Sequence, residues 1–367
     1  MMSQKRDTLL YKKIYGCLLG GLIGDAMGAP TEDLTYQEIE ERFGYVEDFE
    51  GSGTDDSAIK LVLCDAILAS GGRVTADEFS EAFLRNKETY YHLFFIPVKN
   101  MFHKVESKLE LPVYAGLGNM QSSSSAMSIS PMGIINACDP RQASLETFDV
   151  AGLIHGGVST FCRDGACAMA AAVAEAMNPA ATVDSVIWAA AEYLHRISSA
   201  QMRDQISAVM SLARETADYE KFREEFYKTM LREIVSDSRE TVPCVLALFY
   251  LAEGNPVTAI QYAANFGRDA DTIGAMVGAL AGAYAGIEGI NELWVEKVEN
   301  TYGRQQLNSK GAEKEKGKST AQGAADDIVE MPDQRVLADQ LYDIVIKRSQ
   351  EAAAVQKKVN ALMGPMA

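Results

Sequence analysis

The pattern of apolar and polar positions along the chain is typical of helices. Apolar residues recur at helical spacing among good helix formers in six segments: residues 61–68, 165–177, 183–197, 201–213, 219–234 and 242–252. Alternating runs of β-branched residues are scarce, so we predict no sheet of consequence. Gly71-Gly72, Asn178-Pro179 and Gly254-Asn255-Pro256 interrupt the pattern where helices are expected to end. The sequence therefore predicts an all-α fold, a compact multi-helix domain.

Two segments carry glycine at every fourth position. One stripe is Gly16, Gly20, Gly24 and Gly28, and the other is Gly274, Gly278, Gly282 and Gly286. Glycine costs about 1 kcal/mol per helix position relative to alanine. A bare stripe on one helix face lets another backbone approach closely. We expect both segments to be central helices that are candidates to pack on each other. The alternative is that alanine-rich helices have merely drifted to glycine.

The composition changes after residue 303. Residues 309–319 are charged and small and show no periodicity. This composition predicts a flexible linker over residues 304–331. The linker would separate a domain at residues 8–303 from a final helix at residues 332–363. The apolar residues of this final helix at core spacing are Val336, Leu337, Leu341, Ile344 and Val345. The helix is expected to dock on the domain or on a second subunit, which leaves an oligomer open.

Composition and charge narrow the class of protein. Hydrophobic residues make up 47% and charged residues 23% of the chain, as in a globular protein with a sizeable core. The net charge of −17 repels phosphate backbones and disfavours DNA or RNA as a partner. An anionic nucleotide substrate would therefore need metal ions, backbone N–H groups or a few placed cations.

The cysteines and the apolar runs indicate a cellular compartment. The six cysteines form no Cys-x-x-Cys pair, and we interpret them as buried thiols in a reducing cytosol. The N-terminal residues lack the apolar stretch of a signal peptide, and the longest apolar run, residues 273–287, is short for a membrane span. We expect a cytoplasmic protein that does not enter a membrane.

Two short segments carry the strongest candidate chemistry. Residues 51–57 and 267–272 each place two aspartates and a threonine before a predicted helix: Thr54, Asp55 and Asp56, and Asp269, Asp271 and Thr272. For either segment alone, capping of a helix N-terminus is the stronger interpretation. Together they favour a hard cation held by oxygen atoms, Mg²⁺ or Mn²⁺ rather than zinc. Four clustered carboxylates need positive charge nearby, and a pair of metal ions would supply it.

A third segment supplies a candidate acid or base. Glu32 follows the first glycine stripe just past Pro30, and the alternative is that it is a surface loop glutamate. For Asp25, within that stripe, we favour a structural role in capping or bonding a neighbouring loop.

Two further features carry weaker signals. The serine-rich residues 122–133 offer hydroxyls and N–H groups ahead of a helix, which suits a phosphate cradle or equally a flexible serine linker. His155 lies between an apolar run and a glycine pair, where a histidine satisfied within the core is the stronger interpretation and a catalytic one the alternative.

The order of these motifs resembles that of the ADP-ribosylglycohydrolase family, which includes the dinitrogenase reductase-activating glycohydrolases. The resemblance rests on residues 20–28 with Glu32, 54–57, 130–133, His155 and 267–274, and it extends from about Leu18 to Trp294. The Thr-Asp-Asp and Asp-x-Asp-Thr segments in this order are specific, whereas the glycine stripe alone would not be.

The resemblance implies an all-α hydrolase with two divalent metal ions, Mg²⁺ or Mn²⁺. By motif position its metal ligands would be Thr54, Asp55, Asp56, Asp269, Asp271 and Thr272. Glu32 would stand beside the metals as a ligand or general base, so the implied catalytic residues are Glu32, Asp55 and Asp271. The implied substrate-binding positions are Ser128, Ser130, Gly133 and His155. The expected reaction is hydrolysis of a ribosyl glycosidic bond, which removes ADP-ribose from a modified protein or small molecule.

The sequence departs from the family pattern in one segment. Family members commonly carry a Gly-Asn-Gly-like stretch and an arginine before this Pro-x-Gly, whereas this chain has Ser122–Ser125 and Ser128. A site short of one cation could bind the distal nucleotide differently or not require it, unless Arg268 compensates. Hydrolysis of simpler ribosides or nucleosides at the same centre, and a non-catalytic binding or structural protein, are therefore the alternative functions.

Overall fold

The computed structural model describes residues 2–51, 53–300 and 331–363, and these form helices joined by short loops. The α-helices are α1 Met2–Arg6, α2 Leu9–Gly28, α3 Tyr36–Phe43, α4 Asp55–Ala69, α5 Ala76–Arg85, α6 Lys87–Tyr90, α7 Ile96–Glu106, α8 Pro112–Ala115, α9 Ser130–Ile135, α10 Pro140–Val150, α11 Thr160–Ala176, α12 Val183–Glu192, α13 Ala200–Thr216, α14 Tyr219–Thr229, α15 Ser238–Leu251, α16 Pro256–Ala264, α17 Ala270–Ala285, α18 at 292–300 and α19 Gln334–Met363. Within the described residues there is no strand, only two isolated bridges. The predicted all-α fold is confirmed.

All six segments predicted to be helical contain a helix, but two of them end early. The helix predicted over residues 183–197 ends at Glu192, where the Arg203 guanidinium donates to the carbonyls of Ala191 and Leu194 at 2.7 and 3.3 Å. The helix predicted over 219–234 ends at Thr229, and beyond it the Arg232 amide donates to Glu240 at 2.5 Å. Tertiary contacts that local periodicity does not encode take the chain out of the helix at both points.

The two glycine stripes pack directly on each other. Helices α2 and α17 run antiparallel, so that Gly16, Gly20 and Gly24 face Gly282, Gly278 and Gly274 in that order. A Cβ atom added at any of these six glycines would lie within 3.0 Å of a backbone atom of the opposite helix. Both helices are buried along nearly their whole length. The stripes therefore form the central contact of the fold, and the interpretation as drift from alanine is wrong.

The final helix docks on the domain through its first half. Leu337, Leu341, Ile344 and Val345 are buried, as the spacing predicts, whereas Val336 is 49% exposed because it lies off the docked face. Arg348 on α19 forms an ion pair with Glu146 on α10 at 2.8 Å. The predicted linker lies outside the described residues except for Met331, which is buried.

None of the described helices combines the length and the apolar character that a membrane crossing requires. The expected burial of the cysteines holds for five of the six, and Cys138 is exposed.

Candidate functional site

The pairing of α2 with α17 places the end of one helix beside the start of the other. A Cβ at Gly28 would lie 2.5 Å from the amide nitrogen of Asp271, so the backbones touch at this point. Beyond α2, the Asp33 amide donates to the Arg268 carbonyl, and the Arg268 amide donates to the Leu34 carbonyl, both at 2.8 Å. Glu32 is thereby held next to the loop that carries Asp269 and Asp271.

A buried carboxylate fixes the acidic segment at Thr54–Asp56 against α2. Asp25 accepts hydrogen bonds from the amides of Thr54 at 2.9 Å and Ser57 at 3.0 Å, which lie at the start of α4. Asp25 is completely buried. Its carboxylate therefore positions the Thr54–Asp56 loop, which is the structural role expected from the sequence.

The two acidic segments meet across the site although more than 200 residues separate them. The Thr54 hydroxyl donates to the Asp271 carboxylate, and the Thr272 hydroxyl donates to the Asp56 carboxylate, each at 3.3 Å. Thr54 is also the N-cap of α4, since its side chain accepts from the Asp56 amide. Asp269 occupies the N-cap position of α17, but its side chain accepts no hydrogen bond from that helix. Helix capping therefore accounts for only part of the hydrogen bonding of Thr54, and it does not account for the position of the Asp269 side chain.

Glu32 completes a carboxylate group at the mouth of the site. Glu32, Asp269 and Asp271 each offer a carboxylate oxygen, and these three oxygens lie within 4.8 Å of one another. Ser123 donates to an Asp269 carboxylate oxygen at 2.8 Å, and the Phe95 amide donates to Asp55 at 3.3 Å. Glu32 is exposed while the two aspartates are buried, so the group opens to solvent on the Glu32 side.

Burial and mutual repulsion make these carboxylates hard to ionise. Burial, with nearby carboxylates, raises the pKa of Asp55 and of Asp269 to about 7. The same two causes raise the pKa of Asp56 and Asp271 well above the ordinary aspartate value. Burial, then Asp33 and Asp25, raises the pKa of Glu32. The cluster as a whole therefore favours partners that bring positive charge, either protons or cations.

The donor set fits a hard divalent cation. One oxygen of Asp56 and one of Asp271 are buried and have no hydrogen-bond partner, which is costly unless another group binds them. The side chains that meet here are carboxylates and threonine hydroxyls, the ligands that Mg²⁺ and Mn²⁺ prefer. This part of the molecule could hold a metal ion, and the predicted ligands Thr54, Asp56, Asp269, Asp271 and Thr272 are brought together here.

Without metal, this cluster should make the protein less stable as the pH rises. An aspartate in the unfolded chain has a pKa of about 4, whereas Asp55 and Asp269 have pKa values of about 7 in the folded chain. A raised folded-state pKa contributes stability that is present at low pH and lost as the pH rises through the folded value. We expect the Tm in chelator to fall from about pH 5 to about pH 8, and Mn²⁺ to raise Tm more at the higher pH.

Thermal unfolding with chelator or Mn²⁺ at both pH values measures this effect, and Asp55→Asn serves as the internal control because it should flatten the slope in chelator. A Tm in chelator that rises over this range, or an equal effect of Mn²⁺ at both pH values, would contradict the assignment.

The serine segment is a buried, hydrogen-bonded part of the core. Ser122–Ser125 are almost completely buried, so the flexible-linker interpretation is wrong. The Ser122 hydroxyl contacts His155 Nε2 at 3.1 Å, and the Ser125 hydroxyl contacts Nδ1 of the same ring. His155 is fully buried, and burial lowers its pKa to about 3, so the ring is neutral at physiological pH. The histidine holds the serine segment, from which Ser123 reaches Asp269.

The other predicted substrate-binding residues are buried beside this segment. Ser128 is fully buried, and Ser130 is buried with an unpaired hydroxyl. A Cβ at Gly133 would lie 2.6 Å from the Val173 side chain, so this glycine lets α9 pack closely on α11. A substrate role for these residues and for His155 remains a prediction.

Arg268 is already paired within the protein. Its guanidinium donates to both carboxylate oxygens of the fully buried Glu240, at 2.8 and 3.0 Å, and to the Arg232 carbonyl at 2.7 Å. Arg268 also has a positive φ of 62°, so the ion pair holds the chain in an uncommon conformation directly before Asp269. The side chain that could have replaced the missing arginine is thus bound elsewhere in this structure.

Sequence reasoning missed several residues that shape the site. Ser123, Glu240 and the Phe95 amide carry no distinguishing spacing, because their partners are distant in the chain. Lys60, one turn after Asp56 on α4, is a buried cation among apolar residues. Burial lowers its pKa, while Asp25 favours its charged form. Among these residues, only Lys60 could have been noticed from the sequence, because it is a lysine within an otherwise apolar run.

Comparison with known proteins settles the family. The sequence profile described as ADP-ribosylglycohydrolase matches residues 6–334. The chain belongs to the ADP-ribosylglycohydrolase family. Members of this family are hydrolases that act on glycosidic bonds, so the protein is a hydrolase of this class.

Similar proteins agree with this membership. YegU of Escherichia coli (strain K12) is 27% identical over 313 residues, 76% of this chain and 90% of that protein. The ADP-ribosyl-[dinitrogen reductase] glycohydrolase of Rhodospirillum rubrum is 25% identical over 303 residues, which cover 79% of this chain and 91% of that protein. A solved structure titled ADP-ribosylglycohydrolase-related protein complex matches with a TM-score of 0.63 and 20% identity, over 92% of this chain and 99% of that one. This last likeness shows that the ADP-ribosylglycohydrolase fold is shared.

Proposed function

We propose that this ADP-ribosylglycohydrolase releases ADP-ribose from a modified protein or small molecule at the acidic centre, with two divalent ions, Mg²⁺ or Mn²⁺, as cofactors. The observation that supports this most is the hydrogen bond from the Thr54 hydroxyl to Asp271 at 3.3 Å, which joins the two acidic segments at one point. The relative from Rhodospirillum rubrum is named for removing ADP-ribose from a protein, which supports the same class of substrate.

The proposed ligands are Thr54, Asp55, Asp56, Asp269, Asp271 and Thr272. When bound, the two cations would neutralise the carboxylates, hold ribose hydroxyls and polarise the attacking water. The chain's own part is to keep its ligands in place before substrate arrives. Asp25 holds the first acidic segment by its backbone, and Ser123 orients Asp269.

Glu32 is the proposed general base. It is the exposed member of the carboxylate group, so it can reach a water molecule at the mouth of the site. As the bond from the anomeric carbon to its leaving group breaks, the ribose gains positive charge, and Glu32 takes the proton of the water that attacks this carbon.

Glu32→Gln should distinguish a role of Glu32 as general base from a role as metal ligand. We expect kcat to fall by about 10²–10⁴-fold, the usual contribution of a general base, while Mn²⁺ still raises Tm by nearly the wild-type amount. Glu41→Gln is the matched control, because it makes the same substitution at an exposed residue of α3 outside the acidic centre, and it should leave kcat unchanged. Equal loss of kcat and of the Mn²⁺ effect on Tm would make Glu32 chiefly a ligand.

A second candidate is hydrolysis of simpler ribosides or nucleosides at the same centre. It is favoured by the pairing of Arg268 with Glu240, which leaves this arginine unavailable to a distal phosphate. Parallel assays decide between the two. They measure ADP-ribose released from ADP-ribosylated protein and base released from nucleosides, each with Mn²⁺ or with chelator. Release of ADP-ribose supports the proposal, whereas turnover of nucleosides alone would overturn it.

A further inference from the structure

The second half of α19 extends from the domain as a solvent-exposed helix. Every residue from Ala352 to Met363 is exposed, about 18 Å of helix at 1.5 Å per residue. The first half, by contrast, is docked through Leu341 and Val345 and tied by the Arg348–Glu146 ion pair. Most helix stability in proteins comes from tertiary packing, which this exposed segment lacks, so it gains from a partner.

The exposed half carries an apolar stripe in register with the docked half. Spacings of four and three residues alternate through the series Leu341, Val345, Arg348, Ala352, Val355, Val359 and Leu362. This alternation is typical of the contact face of a left-handed coiled coil, and we call the series the seam. Val355 is 59% exposed and Leu362 is 88% exposed, so the seam continues beyond the domain with no cover among the described residues.

A groove lies where the seam leaves the domain. It has a volume of about 810 Å³ and runs between α19 and the turn from α9 to α10, which includes Ile135 and Asp139. Three carboxylates, Asp139, Glu146 and Glu351, line it with two arginines, and Arg348 pairs with Glu146 while Arg73 pairs with Glu351 at 3.0 Å. The exposed half of α19 instead carries Lys357 and Lys358 and no acidic residue. With both arginines paired, Asp139 leaves the groove one negative charge in excess, so the helix tip and the groove complement each other in charge as well as in their apolar surfaces.

We infer that the occupant is a second copy of this chain, and that two copies pair through antiparallel α19 helices about a two-fold axis. Each apolar tip then fills the groove of its partner, which is the self-complementary arrangement of a two-fold dimer. The antiparallel direction carries Lys358, which flanks the seam, toward the partner's Glu351, whose pairing with Arg73 is solvent-exposed. A parallel pair would instead stack the lysines on each other. The net charge of −17 opposes contact between copies elsewhere, so the basic tip is a suitable place for it.

Sedimentation velocity on the full chain at micromolar concentration tests the pairing. We expect a species of twice the 39.9 kDa chain mass for the wild type. Val355→Glu with Val359→Glu places two carboxylates in the seam and should give the monomer. Ala353→Glu with Asn360→Glu adds the same charge to the same helical segment outside the seam, and it should leave the dimer intact. Circular dichroism verifies that both double variants keep their helix content.

A monomeric wild type, a seam variant that remains dimeric, or an off-seam control that dissociates would each overturn the inference. None of these readouts uses hydrolase activity, so they are independent of the proposed function.

Discussion

Asp271→Asn is expected to reduce hydrolysis to the background level and to remove the effect of Mn²⁺ on Tm, while the fold persists. Asp271 joins the two halves of the site. It accepts a hydrogen bond from the Thr54 hydroxyl, and one of its oxygens lies within 4.8 Å of carboxylate oxygens of Glu32 and Asp269. Its second oxygen is buried without a partner, so it has unused capacity for a cation. Asparagine keeps the shape but removes the charge that a divalent ion requires.

The same substitution should raise the Tm of the metal-free protein. Burial and neighbouring carboxylates disfavour the ionised form of Asp271, and a neutral side chain relieves both. Asp184→Asn is the control, because Asp184 is 77% exposed in a surface ion pair whose loss should change little. Residual hydrolysis above background, or an unchanged Mn²⁺ effect on Tm, would show that Asp271 is not a ligand. Measurements of kcat and thermal unfolding on both variants are sufficient.

Gly20→Ala is expected to destabilise the protein although alanine is the better helix former. A Cβ at Gly20 would lie 2.9 Å or less from the Gly278 carbonyl group on the antiparallel helix, and backbone cannot move aside as a side chain can. Overpacking of this kind costs about 1–3 kcal/mol, occasionally more. The larger change Gly278→Leu should prevent folding. The separation of α2 from α17 would also move Glu32 away from Asp271, so activity should fall with stability.

Gly21→Ala is the matched control for this effect. Gly21 is adjacent on the same buried helix, but its Cβ would lie no closer than 3.2 Å to another atom, a contact that small shifts can relieve. Replacing glycine by alanine gains about 1 kcal/mol of helix propensity at either position, so the difference between the variants isolates the helix contact. Urea unfolding measures it. Equal free energies of unfolding for Gly20→Ala and Gly21→Ala would refute close contact at Gly20.

The sequence predicted the parts of this protein that depend on local pattern. The helical periodicity, the spacing of the glycine stripes and the two acidic segments are each visible within a short stretch of chain. The glycine spacing was informative because close packing of two helices needs small residues at a fixed repeat on both. From these patterns the all-α fold, the central pair and the convergence of the Thr54 and Asp271 loops could be predicted.

The remainder depends on contacts between distant residues. Nothing near Arg268 shows that Glu240 will bind it, and nothing in the serine run shows that Ser123 will reach Asp269 while its neighbours hold His155. Val336 was misplaced because several apolar stripes fit one helix, and only the docked surface selects among them. Side-chain partners of this kind arise from the fold rather than from local sequence.

Calorimetric titration of the metal-stripped chain with Mn²⁺ tests the acidic centre most directly. Saturable binding of two ions per chain, abolished by Asp271→Asn and preserved by Asp184→Asn, is the predicted result. Absence of saturable heat in the wild type, or binding that survives Asp271→Asn unchanged, would contradict a cation site shared by the two acidic segments.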